Sequence, residues 1–249
     1  MSGSMYVHPM SQSELSARVA GMEWYHSISL PGGVVTPGIN NSPVALARLG
    51  LPASLAGKTV LDVGAWDGFY SFEADRRGAA RVLATDSFVW NGRWGNAGFT
   101  LARTELGLDG TVEDRTIDVM DLSPDALGET FDVVLFLGVL YHLPDPIGAL
   151  QRVASVTRGT LYLETETALN YLPFPAARLW PGSELKGDDT NWWSINATGL
   201  VAMLRSLGFR NVTVVRRTSL ARRVGRSIKA RRDLRENFKS QRVIIHATR

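Results

Sequence analysis

The sequence contains no cysteine among its 249 residues. Disulfides, thiolate zinc ligands and cysteine nucleophiles are therefore excluded, and the composition fits a reducing compartment. The chain also lacks an apolar run of the roughly 18 residues that a membrane-spanning helix needs, and no basic region followed by an apolar core opens it. We therefore expect no membrane span, no signal peptide and a cytoplasmic location.

A strong excess of one charge sign is also missing, since the formal net charge is only +3. The 45% hydrophobic and 20% charged residues are typical of a globular chain, which at this length forms one large domain or two small ones. Basic residues nevertheless crowd together in the excursion 216–235. This excursion is either a solvated helix or hairpin, or a positively charged platform for a phosphate-bearing small molecule, nucleic acid or anionic lipid.

Apolar runs that end in polar turns alternate with helical patterns along most of the chain. Strands are predicted at 58–63, 81–85, 115–119, 132–138, 159–165, 211–216 and 241–247, and helices at 69–78, 96–107, 146–157 and 196–208. The alternation predicts an α/β fold with a doubly wound, mostly parallel seven-stranded sheet that binds ligands at the carboxyl ends of its strands. We expect residues 243–246 to run antiparallel, because the basic excursion replaces a crossover helix before them.

Two segments stand outside this alternation. Residues 1–50 form an N-terminal extension with an amphipathic helix near 11–22, and residues 166–195 form an insertion in the domain 51–249. Such excursions serve as lids or substrate walls, although inert packing extensions are the alternative. The aromatic residues that could line such walls, or pack in the core instead, are Trp24, Tyr25, Trp192 and Trp193.

A tight glycine turn at 64–68 joins the apolar strand 60–63 to a helix. Such a turn directs backbone N–H groups toward a ligand at the start of the helix. A dinucleotide-binding turn needs glycine where this chain has Trp66 and Phe69, because the backbone must approach a pyrophosphate closely. The turn therefore favours a nucleoside ligand without a pyrophosphate, first of all S-adenosylmethionine (SAM).

Acidic residues follow or end the first three predicted strands. Asp62 can orient the turn or bind the ammonium of a bound amino acid, and Asp86 can accept both hydroxyls of a ribose. Asp118 can accept the adenine amine beside an apolar wall. The predicted cofactor-binding residues are Asp62, Gly64, Ala65, Asp67, Gly68, Asp86, Ser87, Asp118, Val119, Met120, Leu137 and Gly138.

The fourth strand runs into Gly138 and then His142. Glycine leaves room where cofactor and substrate meet, and a histidine with a pKa near ~6.5 suits proton removal at neutral pH. His142 is therefore the predicted catalytic base, the alternative being a histidine that only orients its loop. The second choices for base, orienter or hydroxyl ligand are Tyr141, His26 and Glu164.

Further acidic residues follow the fifth strand. They are Glu164, Glu166, Asp188 and Asp189. Carboxylates could bind a divalent cation such as Mg²⁺, or the hydroxyls of a sugar, although an ordinary acidic loop is the alternative. The sequence fixes no metal ligand set.

Taken together, these motifs resemble class I SAM-dependent methyltransferases over roughly residues 20–215. The landmarks are Asp62-x-Gly64-x-x-Asp67-Gly68, Asp86, Asp118 and the run from Phe131 to His142. More narrowly, Trp24-Tyr-His with Thr36-Pro-Gly, Gly138-Val-Leu-Tyr-His142, Leu163-Glu-Thr165 and the segment 192–209 resemble the tRNA wobble-uridine 5-oxyacetate methyltransferase group. The resemblance implies a SAM cofactor, and relatives of the group include enzymes that act on sugars and other small molecules.

One position departs from that group. An arginine follows its Tyr-His pair, where the resemblance implies a partner for the extra carboxylate of a carboxylated SAM, but this chain has Leu143. Leucine cannot form such a charged pair, so we expect ordinary SAM. The predicted function is O-methylation of a small-molecule hydroxyl, preferably on a saccharide. An RNA methyltransferase and a non-catalytic SAM-fold protein are the alternatives, and a homodimer is compatible with the sequence.

Overall fold

The computed structural model describes residues 10–217 and 240–249. Most of the basic excursion 216–235 therefore lies outside the described residues. The helices are α1 (Gln12–Ala20), α2 (Ser42–Leu49), α3 (Phe69–Arg76), α4 (Ala97–Glu105), α5 (Pro124–Leu127), α6 (Pro146–Ser155) and α7 (Ala197–Ser206). The strands are β1 (Thr59–Val63), β2 (Arg81–Asp86), β3 (Val112–Thr116), β4 (Phe131–Leu137), β5 (Thr157–Thr167), β6 (Ala177–Leu179), β7 (Trp193–Ile195), β8 (Asn211–Arg217) and β9 (Gln241–Thr248).

Seven strands form one sheet in the order β3-β2-β1-β4-β5-β9-β8. The first five pair in parallel, and β9 runs antiparallel to both of its neighbours. The predicted doubly wound sheet and its antiparallel last strand are confirmed. Strands β6 and β7 form a separate antiparallel pair within the insertion.

Both faces of the large sheet are buried under helices, as parallel sheets require. Side chains alternate along each strand: Val60 packs into one core cluster and Leu61 into the other. The first cluster contains side chains of α1 to α4, and the second contains those of α6 and α7. This packing holds the carboxyl ends of the parallel strands, and therefore the residues that follow them, at one edge of the sheet. In the part of the chain that the structure describes, no helix is long and apolar enough to cross a membrane.

The third strand lies at Val112–Thr116 and not at the predicted 115–119. The prediction followed the apolar residues Ile117 and Val119, but β3 is an edge strand whose central residues face solvent and are polar. An edge strand needs only one buried face, so its hydrophobic signal is weak. Asp118 consequently caps a short 3₁₀ turn, Val119–Asp121, two residues beyond the strand.

The predicted amphipathic helix of the N-terminal extension is confirmed as α1. Ser11 and Glu14 form a capping box at its start, and Leu15 and Val19 are buried. Helix α2 and the pair β6–β7 were not predicted from the sequence. Their segments are short, and the pattern of a three-residue strand cannot be distinguished from that of a loop.

Candidate active site

The glycine turn after β1 is held against the end of β2. The amides of Gly64 and Ala65 both donate to the carbonyl oxygen of Thr85, at 2.8 and 3.0 Å. Gly64 has φ of 79°, and a side chain there would collide with Cγ2 of Val139. Glycine is therefore required at this position both by backbone conformation and by the close approach of the chain after β4.

Asp86, at the end of β2, accepts a hydrogen bond from the backbone of the same turn. Its carboxylate accepts the amide of Trp66 at 3.1 Å and that of Val89 at 2.9 Å. Burial raises the pKa of Asp86, although these backbone hydrogen bonds oppose the rise. Trp66 has a positive φ of 51°, and its ring stacks on Tyr25 with centroids 4.6 Å apart.

Ser87 and Asp118, both predicted cofactor-binding residues, are in contact after β2 and β3. The hydroxyl of Ser87 donates to Asp118 at 3.0 Å, and the other carboxylate oxygen accepts the amide of Met120 at 2.9 Å. Val119 is buried and Met120 is half-buried. The structure thus brings a polar acceptor and apolar side chains together where the sequence predicts a contact with adenine.

Two buried carboxyl groups flank the turn and differ in their partners. Asp62 accepts the hydroxyl of Ser71 at 2.7 Å, and burial raises its pKa to about 7. Asp67 accepts the amides of Tyr25 and His26 at 2.8 and 2.7 Å, and burial likewise raises its pKa to about 7. Asp67 therefore anchors the N-terminal extension over the glycine turn.

His26 is buried in this anchor, with 4% of its surface exposed. Burial lowers its pKa to about 3, so the imidazole is neutral at physiological pH. Its Nδ1 has no hydrogen-bond partner among the described residues, and its ring packs beside Phe69 and Tyr70. Trp24, by contrast, is a core residue whose indole N–H donates to Val19.

The carboxyl ends of β4 and β5 meet at Gly138. Its amide donates to the carbonyl oxygen of Glu164 at 2.9 Å, and its φ is 77°. A Cβ atom there would point toward the Glu164 carboxylate and the Tyr141 hydroxyl, 3.8 and 3.9 Å away. The positive φ therefore favours glycine at this position, and the role of Gly138 at the meeting point of cofactor and substrate stays a prediction.

Arg242 of β9 joins the polar side chains at this end of the sheet. Its guanidinium donates to Tyr141 at 2.7 Å, to both oxygens of Glu164 at 3.1 Å and to Glu166 at 3.0 Å. Glu166, which is 2% exposed, also pairs with Lys186 of the insertion. Although this chain has Leu143 in place of an arginine, the site contains an arginine, because Arg242 reaches it from β9.

These contacts limit what the second-choice bases can do. Burial raises the pKa of Tyr141 far above neutrality, so its hydroxyl stays protonated. Burial also raises the pKa of Glu164, while Arg242 opposes the rise and occupies both carboxylate oxygens. Within the described ranges, no three His, Cys, Asp or Glu residues are arranged to hold a metal ion. The Mg²⁺ site stays a prediction.

His142 ends the 3₁₀ turn Leu140–His142 and contacts the insertion. Its Nδ1 lies 2.8 Å from the Thr190 hydroxyl and 3.3 Å from the Thr190 carbonyl oxygen. Burial lowers the pKa of His142, so the ring is neutral at pH 7. Two further hydrogen bonds tie the insertion to this turn, from the amide of Trp192 to Tyr141 at 2.8 Å and from the Trp193 indole to Pro144 at 3.0 Å.

Sequence reasoning missed Arg242, Lys186 and Thr190 as site residues. Arg242 directly precedes the apolar run 243–245 of β9, and it lies opposite Glu166 in the antiparallel register. A prediction that β9 pairs with β5 would have placed Arg242 next to Glu164 and Glu166. Thr190 and Lys186 lie in an insertion without regular periodicity, and no signal in the sequence indicates their partners.

The family model described as a methyltransferase domain matches residues 43–214. The chain belongs to this family. The match covers more than half of the chain and includes the glycine turn, the acidic strand ends and His142. The expected class I SAM-dependent methyltransferase fold is confirmed, with SAM as its cofactor.

Among curated proteins, a tRNA U34 carboxymethyltransferase of Alteromonas mediterranea is 29% identical over 169 residues, covering 65% of this chain and 47% of that protein. A ubiquinone biosynthesis O-methyltransferase of Hahella chejuensis is 34% identical over 119 residues, covering 47% of this chain and 46% of that protein. The methyltransferase thus spans about half the length of the curated relatives that it matches.

Among solved structures, the N-terminal domain of EvdMO1, determined in the presence of SAH and D-fucose, is similar with a TM-score of 0.70. The identity is 19%, and the alignment covers 97% of this chain and 98% of that domain. A likeness at this identity establishes the shared fold.

Proposed function

We propose that this protein transfers a methyl group from SAM to a hydroxyl of a small molecule, with a saccharide or glycosylated metabolite as the preferred acceptor. The observation that carries the proposal is the neutral, half-buried His142, four residues after Gly138 in the turn that follows β4, at the strand ends where a class I methyltransferase binds its ligands. An aliphatic hydroxyl is a poor nucleophile, and a neutral imidazole can take its proton as the new bond forms.

The residues at the strand ends fit the cofactor. The buried Asp86 presents a carboxylate beside the glycine turn, Gly138 lies at the joint end of β4 and β5, and Asp118 lies next to apolar side chains. We assign these residues to the ribose, the reacting end and the adenine. When bound, SAM supplies an electrophilic methyl group on a positively charged sulfur. The protein contributes by orienting the acceptor and removing its proton.

Charge at Arg242 supports ordinary SAM. Two carboxylates, Glu164 and Glu166, already oppose this guanidinium, and Lys186 pairs with the second of them. The two cations and two carboxylates balance. A third carboxylate, as in a carboxylated SAM, would give this cluster an excess negative charge and raise the energy of the bound state. Arg242 supports ordinary SAM more directly than Leu143 does, because Arg242 is the cation that lies at the strand ends.

The walls of the site support a small acceptor. The insertion is bonded to the turn Leu140–His142, and the N-terminal extension is bonded to the glycine turn through Asp67. Exposed Trp192 and half-buried Tyr25 provide aromatic surface near these bonds. Aromatic faces and carboxylates suit a sugar. EvdMO1, whose N-terminal domain shares this fold, was determined with D-fucose.

The test is a transfer assay with SAM labelled in the methyl group. A panel of glycosides and sugar nucleotides is compared with phenols and with unmodified tRNA, for the wild type and for His142→Gln. We expect label on a glycoside hydroxyl and a loss of kcat of about 100-fold in the variant, since general base catalysis contributes on this order. His246→Gln is the matched control, because this histidine bonds Leu49 away from the strand ends.

Methyl transfer to RNA is the second candidate. The names of the tRNA U34 carboxymethyltransferase relatives and the basic excursion 216–235 favour it. If tRNA takes up label, binding should weaken steeply with salt, and it should fail when Arg222, Arg223, Arg231 and Arg232 are replaced by glutamine. Label on tRNA with none on any small hydroxyl would contradict the proposal.

A further inference from the structure

The insertion touches His142 through a short chain of hydrogen bonds. His142 Nδ1 lies 2.8 Å from Oγ1 of Thr190 and 3.3 Å from the carbonyl oxygen of the same residue. The Thr190 hydroxyl lies 2.6 Å from Oδ1 of Asp188, which also accepts the Thr190 amide at 3.0 Å. Asp188, Thr190 and His142 therefore form one connected network.

The number of available protons decides the direction of each bond. A carbonyl oxygen only accepts, so its bond to Nδ1 requires a proton on Nδ1. The threonine hydroxyl has a single proton, and a carboxylate only accepts, so that proton goes to Asp188. The hydroxyl oxygen of Thr190 is then left to accept from Nδ1. Both contacts of Thr190 select the same tautomer of His142.

Asp188 is a carboxylate at neutral pH. Burial raises its pKa, but the two hydrogen bonds from Thr190 and the nearby His142 outweigh burial, and the pKa lies below its ordinary value. The direction of the Thr190 hydroxyl is therefore fixed over the physiological range. In the described part of the chain, nothing hydrogen-bonds Nε2 of His142.

We propose that Thr190 and Asp188 are positioning residues that hold His142 with its proton on Nδ1, so that the lone pair of Nε2 accepts the proton of the substrate hydroxyl. The inference deepens the proposed function and rests on it. In the step, the hydroxyl oxygen forms a bond to the methyl carbon as the carbon–sulfur bond breaks. The hydroxyl proton passes to Nε2 and gives an imidazolium whose Nδ1–H still donates to Thr190.

The charges around His142 fit this role. Burial and the charge of Arg242 lower the pKa of His142, whereas the charges of Asp188 and Glu166 raise it. The ring of Tyr141, whose centroid is 4.1 Å away, carries no charge at neutral pH. Asp188 and Glu166 thus favour the imidazolium that forms in the reaction, while burial and Arg242 keep the resting ring neutral. The network supplies both tautomer and charge.

The tautomer can be measured without turnover. We suggest ¹H–¹⁵N spectra of the histidine rings in the ligand-free, full-length protein at pH 7.5, with His142 assigned from the His142→Gln variant among the four histidines of the chain. The wild type should show the proton on Nδ1. Thr190→Val should shift His142 toward the Nε2-protonated tautomer, and Thr190→Ser, which keeps the hydroxyl, should retain the wild-type spectrum.

The kinetic readouts follow from the same network. With a hydroxyl acceptor, Thr190→Val should lower kcat by about 10-fold or more, within the range of general base effects, while KM changes less than twofold. Thr190→Ser should restore kcat. Asp188→Asn removes a charge that raises the pKa of His142, so the acidic limb of the kcat–pH profile should move to lower pH.

Two results would overturn the inference. One is a wild-type His142 protonated on Nε2, and the other is a Thr190→Val variant that keeps wild-type spectra and kcat. Near-ultraviolet circular dichroism and SAM affinity establish whether each variant is folded. If Thr190→Val does not fold, Asp188→Asn tests the inference in its place. An Nδ1-protonated His142 in a protein that methylates no small hydroxyl would refute the proposed function and leave the positioning network intact.

Discussion

At the scale of residues, burial sets the protonation states around the glycine turn. Asp62 and Asp67 have pKa values of about 7, and His26 has one of about 3, in each case mainly because burial penalises the charged form. A site that binds a sulfonium and an ammonium gains from carboxylates whose charge is poorly solvated, since the attraction to a bound cation is stronger there. This benefit to binding is a cost to the stability of the ligand-free protein.

Asp62 provides a test of that cost. Its folded-state pKa of about 7 lies above the ordinary 3.8, so the folded protein holds this proton more tightly than the unfolded chain. The resulting stability is present in full below pH 3.8 and is lost as pH rises toward 7. Asp62→Asn keeps an acceptor for Ser71 and does not titrate. We expect it to stabilise the ligand-free protein by about 2 kcal/mol at pH 8 and much less at pH 5.

Urea unfolding at the two pH values, without SAM, measures this difference. Asp125→Asn serves as the control, because Asp125 is exposed at the start of α5 and its replacement should change the stability little. A stability difference for Asp62→Asn that is the same at pH 5 and pH 8 would show that Asp62 titrates normally in the folded protein.

At the scale of elements, β9 ties the site together. Its residue Arg242 pairs with Glu164 and Glu166 of β5 and with the hydroxyl of Tyr141. Removing the guanidinium would leave a buried glutamate with Lys186 as its remaining cation. Because Arg242 is itself 39% exposed, the loss should be smaller than for a fully buried pair. We expect Arg242→Met to lower the free energy of unfolding by about 2 kcal/mol.

Arg76→Met is the matched control for Arg242→Met. Arg76 is 72% exposed, and its partner Glu73 keeps a second arginine, Arg77, just as Glu166 keeps Lys186. A surface pair of this kind contributes less than about 1 kcal/mol. Equal losses in the two variants, measured by urea unfolding at pH 7.5, would mean that the strand-end cluster contributes no more than an ordinary surface ion pair.

Elements with a strong period were predictable, and those defined by their partners were not. The buried strands β1, β2 and β4 carry continuous apolar runs, and helix α6 begins at an Asp-Pro capping signal. The edge strand β3 was placed three residues too late, because its polar residues hide it. The short strands β6 and β7 depend on each other and on β5, which no local pattern records.

At the scale of the whole molecule, some contacts of the candidate site could be predicted from the sequence and others could not. The glycine turn and Asp86 could be predicted because one strand–turn–helix and one crossover bring them together. Other contacts join residues far apart in sequence. Arg242 meets Tyr141 across 101 residues, Thr190 meets His142 across 48, and Asp67 meets His26 across 41. Such pairings come from the packing of the insertion, the extension and the last strand, which composition and spacing do not determine.

The central claim is that the strand ends hold SAM with its reactive end toward His142 and an enclosed acceptor pocket. A crystal structure with S-adenosylhomocysteine tests it most directly. We expect the ribose on Asp86, the adenine beside Asp118, and a closed space beyond the sulfur that is lined by His142 and the insertion. A sulfur that faces away from His142, or that opens onto a broad basic groove, would contradict the account.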